Sequence, residues 1–254
     1  GLTSQLGSHP MAPYDAAAMN AIFKAYDIRG TVPDQLDAAL MERIGAAFAR
    51  FAADTTGASS ILIAHDMRPS GPEFAESFAR GATGQGVDVV HLGLASTDLL
   101  FFAAGRFDMP GAMLTASHNP AQYNGVKLCL AGAKPIGAET GLFDIRDLTV
   151  NGLNLVEKQG SVSSRNDALS IFVTHVHSFI DPNVLRPLSV VADTANGMGG
   201  LTAPAVFADL PFTLDVLYGE LDGTFPNHPA DPIQPENLRD LQNRVLSVGA
   251  DVGL

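Results

Sequence analysis

The sequence predicts an α/β protein with two consecutive domains, and three observations support this. Between residues 61 and 114, short apolar runs alternate with amphipathic segments, an order typical of mostly parallel sheets with right-handed crossovers. Residues 151–167 are polar, contain Gly and Ser and lack hydrophobic periodicity, which indicates a linker. A second strand-and-helix unit follows this segment. The 254 residues suffice for two ordinary α/β domains or one large one.

The first unit contains most of the predicted elements. Leu36, Leu40, Ile44 and Phe48 recur at the spacing of one helix face, so residues 36–53 are predicted to be helical. Ser70, with Pro72 close behind it, is a typical helix start and predicts a helix up to residue 82. The other predicted helices are 97–104 and 137–147, and the predicted strands are 60–64, 87–92, 111–114 and 127–130.

The second unit has fewer elements and two loops of unusual composition. Its predicted helices are 168–180, 201–208 and 235–247, and its predicted strands are 188–192 and 213–217. A glycine-rich turn at residues 193–200 could hold a phosphate at a helix amino end, but no G-x-G-x-x-G or G-K-[ST] motif predicts a nucleotide. Residues 222–237 are rich in proline and predict an exposed, stiff loop.

Composition excludes several classes of function. With 15 Lys and Arg against 27 Asp and Glu, the formal charge is −12, and such an acidic chain is unsuited to neutralising nucleic-acid phosphates. No apolar run has the length of a membrane span, so we expect neither a nucleic-acid nor a membrane partner. One cysteine, Cys129, excludes an internal disulfide and predicts the reducing cytoplasm. Residues 1–10 are predicted to be an expression-tag remnant before Met11.

A polar loop, residues 115–120, follows the apolar strand at 111–114. The carboxyl end of a strand is where α/β sheets place their chemistry, so the loop is either a capping loop or an active site. Ser117 is flanked by His118 and Asn119, and Lys127 adds a cation, a grouping that suits a phosphorylated serine. Because adjacent residues on an extended loop point to opposite sides, His118 is not expected to be the base of a hydrolytic triad.

The string TASHNP at 115–120, followed by YNGVK at 123–127, resembles the phosphoserine loop of the α-D-phosphohexomutase family, in particular its phosphomannomutase/phosphoglucomutase branch. Further similar segments are YDIRG at 26–30, D-x-R-x-S-G at 66–71 and FPNH at 225–228. The resemblance covers residues 23–254 and implies the first two of four three-layer α/β domains. Domain I would span 11–160 and domain II 161–254, ending before the family's metal-binding loop.

The resemblance implies an intramolecular phosphotransferase that interconverts hexose 1-phosphate and hexose 6-phosphate, with mannose or glucose as the sugar. Ser117 would carry the phosphoryl group, and hexose 1,6-bisphosphate would be the intermediate. Lys127 and Arg29 would stabilise charge or exchange protons, while His118 and Asn119 orient the loop. The family requires Mg²⁺; in this chain only the phosphate on Ser117 would contact it, because the aspartate ligands are missing.

The resemblance also implies phosphate or substrate contacts for Tyr26, Asn119, Arg68 and His228. The residues themselves leave a structural role open for two segments. Arg68 could pair with Asp66 beside a helix cap, and Arg29 could form only a local ion pair.

Three hypotheses remain. The first is a phosphomannomutase/phosphoglucomutase, the second is the related phosphoglucosamine mutase, and the third is a non-catalytic module that binds phosphosugars. In either mutase we expect this chain alone to be inactive. The sequence does not indicate an oligomeric state.

Overall fold

Two β-sheets organise residues 14–254, the part of the chain described by the computed structural model. The predicted tag remnant at 1–10 and Met11 lie outside the described residues. The first sheet has the order β1-β5-β4-β2-β3-β7, with β6 paired to β5, and the second has the order β10-β8-β9. The strands are β1 (Ile28–Thr31), β2 (Ser60–His65), β3 (Asp88–Leu94), β4 (Gly111–Leu114), β5 (Tyr123–Leu130), β6 (Lys134–Pro135), β7 (Val162–Ser164), β8 (Leu188–Asp193), β9 (Phe212–Leu217) and β10 (Val252–Gly253).

Helices connect and cover these strands. They are α1 (Ala16–Ile22), α2 (Ala38–Thr56), α3 (Gly71–Thr83), α4 (Thr97–Arg106), α5 (Leu142–Asn151), α6 (Ala168–His177), α7 (Gly199–Phe207) and α8 (Arg239–Val248). Within residues 14–254, no helix combines the length and the apolar character that crossing a bilayer requires.

The first sheet is buried on both faces, which makes this domain three-layered as predicted. Ile61 and Ile63 of β2 belong to the core cluster that contains the buried faces of α2 and α3. Leu62 and Ala64 belong to the other cluster, which contains side chains of α4 and α6. Successive strand residues point to opposite faces, so a strand between two helical layers is a continuous apolar run. This is why the strands were visible in the sequence.

The two sheets are mixed and mostly parallel, in agreement with the prediction. Strand β2 runs parallel to β3 and β4, and β8 runs parallel to β9 and β10. Strand β5 instead runs antiparallel to both β4 and β1. The short connection between β4 and β5 explains this reversal, because parallel neighbours require a longer crossover. That connection carries Ser117.

The linker prediction for residues 151–167 is wrong at Val162–Ser164. These residues form β7, which pairs in parallel with β3 and covers its outer edge. An uncovered edge would leave backbone donors and acceptors of β3 unpaired. The polar side chains of β7 hid this strand from the sequence pattern, because both of its faces are exposed. Residues that follow β7 also pack on the first sheet, since Ala168 and Phe172 of α6 are buried in the core cluster that contains side chains of α4.

Two predicted boundaries also shift. The strand predicted at 127–130 begins at Tyr123, so YNGVK is part of β5. The helix predicted at 137–147 begins only at Leu142, after Gly141, whose φ is +120°. This left-handed backbone conformation favours glycine and interrupts a regular helix. Ser70 precedes α3 as predicted, but its hydroxyl accepts from Asn124 Nδ2 at 2.8 Å instead of capping the helix.

Candidate active site

The loop between β4 and β5 presents Ser117 to solvent in an unusual backbone conformation. Ser117 is exposed and has a φ of +55°. A non-glycine residue in this left-handed region persists only where its surroundings enforce it. Two turn hydrogen bonds contribute, from Asn119 N–H to the Ala116 carbonyl at 3.0 Å and from Tyr123 N–H to the Pro120 carbonyl at 3.0 Å.

A buried chain of hydrogen bonds connects the backbone of Ser117 to Asp66, which directly follows β2. The Ser117 N–H donates to Thr115 Oγ1 at 3.0 Å, and that hydroxyl donates to Asp66 Oδ2 at 2.6 Å. The other oxygen of Asp66 accepts from the Arg68 N–H at 3.0 Å. Thr115 and Asp66 are each 4% exposed. The loop that follows β4 is therefore tied to the loop that follows β2.

Arg68 supports the same loop from below and is 1% exposed. Its guanidinium donates from Nη1 and Nη2 to four carbonyls, those of Pro120 at 2.9 Å, Tyr123 at 2.8 Å, Ser117 at 3.0 Å and Asn119 at 2.7 Å. Its Nε lies 3.4 Å from Asp66 Oδ2, so the ion pair considered from the sequence is present. Burial lowers the pKa of Arg68, and the Asp66 carboxylate opposes this effect. Its terminal donors are all directed at loop carbonyls, which favours a structural role for Arg68 over the predicted phosphate contact.

Two cations meet at one carboxylate beside this loop. Asp27 Oδ2 lies 2.5 Å from an Arg29 guanidinium nitrogen and 3.1 Å from Lys127 Nζ. The strand register explains the meeting. Ile28 of β1 pairs with Val126 of antiparallel β5. Asp27 precedes Ile28 and Lys127 follows Val126, so the two side chains come from neighbouring positions next to this pair. Arg29 also donates to Asn119 Oδ1 at 2.5 Å. Two positive charges against one negative charge suit a site that accepts a phosphoryl group.

The close approach of β5 to its neighbours makes this register possible. A Cβ atom on Gly125 would lie 2.0 Å from the Ile28 carbonyl oxygen, so only glycine fits at this position. The neighbouring Asn124 is fully buried and contacts Ser70. Gly125 thus lets β5 approach β1 closely, and Lys127, two residues further along β5, lies near Asp27 as a result.

Besides Ser117, the exposed residues among those predicted for the site are His118 and Tyr26. The Nδ1 of His118 lies 3.5 Å from Ser117 Oγ, the outer limit of a hydrogen bond. The expectation that these two side chains point to opposite sides is wrong, because the positive φ of Ser117 breaks the extended alternation. Tyr26 is 82% exposed in the segment before β1, and its substrate contact stays a prediction.

A cleft of about 150 Å³ opens at Ser117 between the two domains. Ser96 and Thr97, which follow β3, line one side. Met198, at the start of α7, and Phe225 line the other. Ligands in open α/β folds bind in such crevices at the carboxyl ends of strands.

His228 lies elsewhere, in a separate cavity of about 230 Å³. Both of its ring nitrogens have partners, with Nε2 2.8 Å from Asp193 Oδ2 and Nδ1 2.8 Å from the Pro229 carbonyl. Burial lowers the pKa of His228, but the hydrogen bonds to Pro229 and Asp193 raise it by more, so the net pKa is above the usual value. The structure does not bring His228 into the cleft at Ser117, and its contact with a phosphate or substrate stays a prediction.

Side chains that could ligate a metal are not clustered within residues 14–254. This part of the chain contains no group of three or more His, Cys, Asp or Glu side chains arranged to hold a metal ion. Mg²⁺ and its contact through a phosphate on Ser117 stay predictions.

Sequence reasoning anticipated ion pairs at Arg29 and between Arg68 and Asp66, but it missed Thr115 and the wider supporting roles of Asp27 and Asp66. A signal was present for each, since Asp27 and Asp66 lie two residues before an arginine and Thr115 opens the serine loop. What the sequence does not show is that one carboxylate serves both Arg29 and Lys127, which are distant along the chain.

Comparisons with known proteins agree with this architecture. The family model described as phosphoglucomutase/phosphomannomutase, alpha/beta/alpha domain I, matches residues 20–152, and the model for domain II matches residues 170–254. A crystal structure of a phosphoglucomutase/phosphomannomutase family protein from Burkholderia thailandensis superposes with a TM-score of 0.81 at 34% identity, covering 92% of this chain and 51% of that one.

Curated relatives give the same result. A protein named phosphohexose mutases from Xanthomonas campestris is 37% identical over 234 residues, which cover 91% of this chain and 51% of the relative. A phosphoglucomutase from Neisseria meningitidis is 38% identical, covering 94% of this chain and 51% of the relative. A phosphomannomutase from Escherichia coli is 34% identical, covering 93% and 53%. This chain spans about half the length of these relatives, and it belongs to the phosphoglucomutase/phosphomannomutase family.

Proposed function

We propose that this chain supplies the phosphoryl-carrying half of a hexose phosphate mutase, with Ser117 as the carrier. The observation that supports this most directly is the exposed Ser117 at a φ of +55°, fixed by buried partners beside the Arg29–Asp27–Lys127 cluster. A rigid nucleophile in a positively charged setting suits phosphoryl transfer, where catalysis is mainly positioning and charge stabilisation.

The proposed reaction consists of two transfers. In the first, the bond between phosphorus and Ser117 Oγ breaks, the phosphoryl group passes to a hydroxyl of the hexose phosphate, and the proton of that hydroxyl leaves for Ser117 Oγ by way of a base. The product is hexose 1,6-bisphosphate. The bisphosphate then reorients in the site. Its other phosphoryl group is transferred to Ser117 Oγ, and the proton of the serine hydroxyl passes to the sugar oxygen.

The cations have separate roles in this proposal. Lys127 and Arg29 offset negative charge on the transferred group, and Asp27 keeps both in place. Asn119 links the serine loop to Arg29. His118 orients the loop near Ser117 Oγ, and Tyr26 contacts the sugar. Mannose and glucose phosphates are the proposed substrates, and a cytoplasmic location is the proposed setting.

A coupled assay tests the proposal on the complete gene product that contains this chain. We expect turnover of mannose 1-phosphate or glucose 1-phosphate, loss of that turnover in Ser117→Ala, and unchanged turnover in Ser170→Ala, which removes an exposed hydroxyl on α6. Turnover only with a hexosamine phosphate would favour a phosphoglucosamine mutase. No turnover with either sugar class would favour the non-catalytic binding module.

We also propose that the 254-residue chain does not turn over alone. It spans about half the length of its relatives, and its described residues form no metal site. The same assay on the purified chain tests this, and measurable turnover would contradict it.

A further inference from the structure

We propose that Arg68 is the positioning residue for Ser117. Its buried guanidinium fixes the backbone of residues 117–123, and this fixes the direction in which the hydroxyl of Ser117 points. A turn of the second domain holds Arg68 in place. This inference rests on the proposed function of Ser117 as the phosphoryl carrier.

The first step of the argument is the use of the guanidinium fork. All four hydrogen bonds from its terminal nitrogens go to carbonyls of one short loop, at 2.7–3.0 Å. The planar arginine fork presents several donors in fixed directions, whereas a lysine ammonium is a compact charge on a flexible stem. A loop held at several carbonyls by one rigid group can maintain the strained φ of Ser117.

The second step is the direction of the constraint. Arg68 is buried, and Asp66 binds both the backbone N–H of Arg68 and, through Thr115, the N–H of Ser117. The loop is therefore held on its carbonyl side by Arg68 and on its N–H side by Thr115. Ser117 lines the cleft, and its hydroxyl is the polar group that neither Arg68 nor Thr115 binds.

The third step concerns the second domain. The guanidinium carbon of Arg68 lies 5.3 Å from the centroid of the Phe225 ring. A Cβ atom on Gly223 would lie 2.5 Å from Arg68 Cα and 2.8 Å from the Met67 carbonyl oxygen, so the 222–225 turn packs directly on the Arg68 backbone. A second-domain turn thus presses on the residue that holds the first-domain loop. The position of Ser117 depends on the contact between the domains.

The test uses the complete gene product with Arg68→Lys, which keeps the charge and loses the fork, and Phe225→Leu, which removes the ring beside the guanidinium. Arg80→Lys is the matched control, because Arg80 pairs with Glu42 at an exposed site. We expect kcat of Arg68→Lys to fall roughly 100-fold, with KM within about twofold of wild type. Phe225→Leu should lose less in the same direction, and Arg80→Lys should match wild type.

Amide hydrogen exchange separates positioning from general stability. In Arg68→Lys and Phe225→Leu, the hydrogen-bonded amides of Ser117, Asn119 and Tyr123 should exchange faster while those of β2 and β3 keep their protection. Wild-type kcat and unchanged loop exchange in a folded Arg68→Lys, or in Phe225→Leu if the first variant does not fold, would overturn the inference. Uniformly faster exchange with wild-type kcat per folded molecule would also overturn it. If wild-type protein never carries phosphate on Ser117, the proposed function fails, and the exchange result still decides whether Arg68 holds the loop.

Discussion

Replacing Thr115 by valine tests the hydrogen-bond chain beneath Ser117 most cleanly, because valine has nearly the shape of threonine. The substitution removes the 2.6 Å bond to Asp66 and the 3.0 Å bond from the Ser117 N–H. Losing a hydrogen bond to a charged group costs about 1.5–3 kcal/mol, and losing a neutral one costs about 1 kcal/mol. Water can replace the partner of the exposed Ser117 but not that of the buried Asp66. We therefore expect the free energy of unfolding to fall by about 1.5–3 kcal/mol, the cost of the bond to Asp66.

Urea denaturation of the chain measures this change as a shift of the midpoint at constant slope. Thr115→Ser is the matched control, since it keeps the hydroxyl and loses one methyl group at a cost of about 0.8 kcal/mol. Valine should be clearly more destabilising than serine. If the two variants are equally stable, or if Thr115→Val matches wild type, the hydroxyl does not stabilise the loop and the reasoning is refuted.

Three further predictions concern single residues. Asp27→Asn should destabilise the chain by about 2 kcal/mol because Arg29 and Lys127 lose their shared carboxylate, and added salt should reduce the difference in urea midpoints; no difference at low salt would contradict this. The pKa of His228 is raised in the folded chain, so this residue contributes stability that is fully present below the ordinary value of 6.5 and is lost as pH rises through the folded pKa. His228→Gln should therefore reduce the decrease of Tm with pH across that window. A Tm profile equal to that of wild type would count against this. Burial raises the pKa of the Cys129 thiol to about 11, so an alkylating reagent should label it only on unfolding, and rapid labelling of the folded chain would show this to be wrong.

The fold was predictable where burial dictates residue type. Strands β2 and β4 lie between two helical layers, and their unbroken apolar runs follow directly from that position. Strand β7 was missed because it is an exposed edge, where the backbone pairs but the side chains need not be apolar. The late start of α5 was missed because it depends on the backbone conformation of Gly141.

The site was predictable as a set of residues and less so as an arrangement. The sequence indicated Ser117, Asn119, Arg29 and Lys127, and the structure links the last three through hydrogen bonds and ion pairs. Arg68 shows the limit, because from the sequence it fits either a phosphate site or an ion pair with Asp66, and its bonds to the loop carbonyls are not visible there. What its guanidinium binds depends on how deeply Arg68 is buried, and this burial results from packing between segments that are distant along the chain.

The most direct measurement is the location of phosphate on the complete gene product. The protein is incubated with hexose 1,6-bisphosphate, digested, and the peptide that contains Ser117 is weighed and fragmented. We predict one added phosphoryl group on Ser117, and its loss to product when a hexose phosphate is then supplied. A catalytically active protein that gains no phosphate on Ser117, or gains it on another residue, would show that Ser117 is not the carrier.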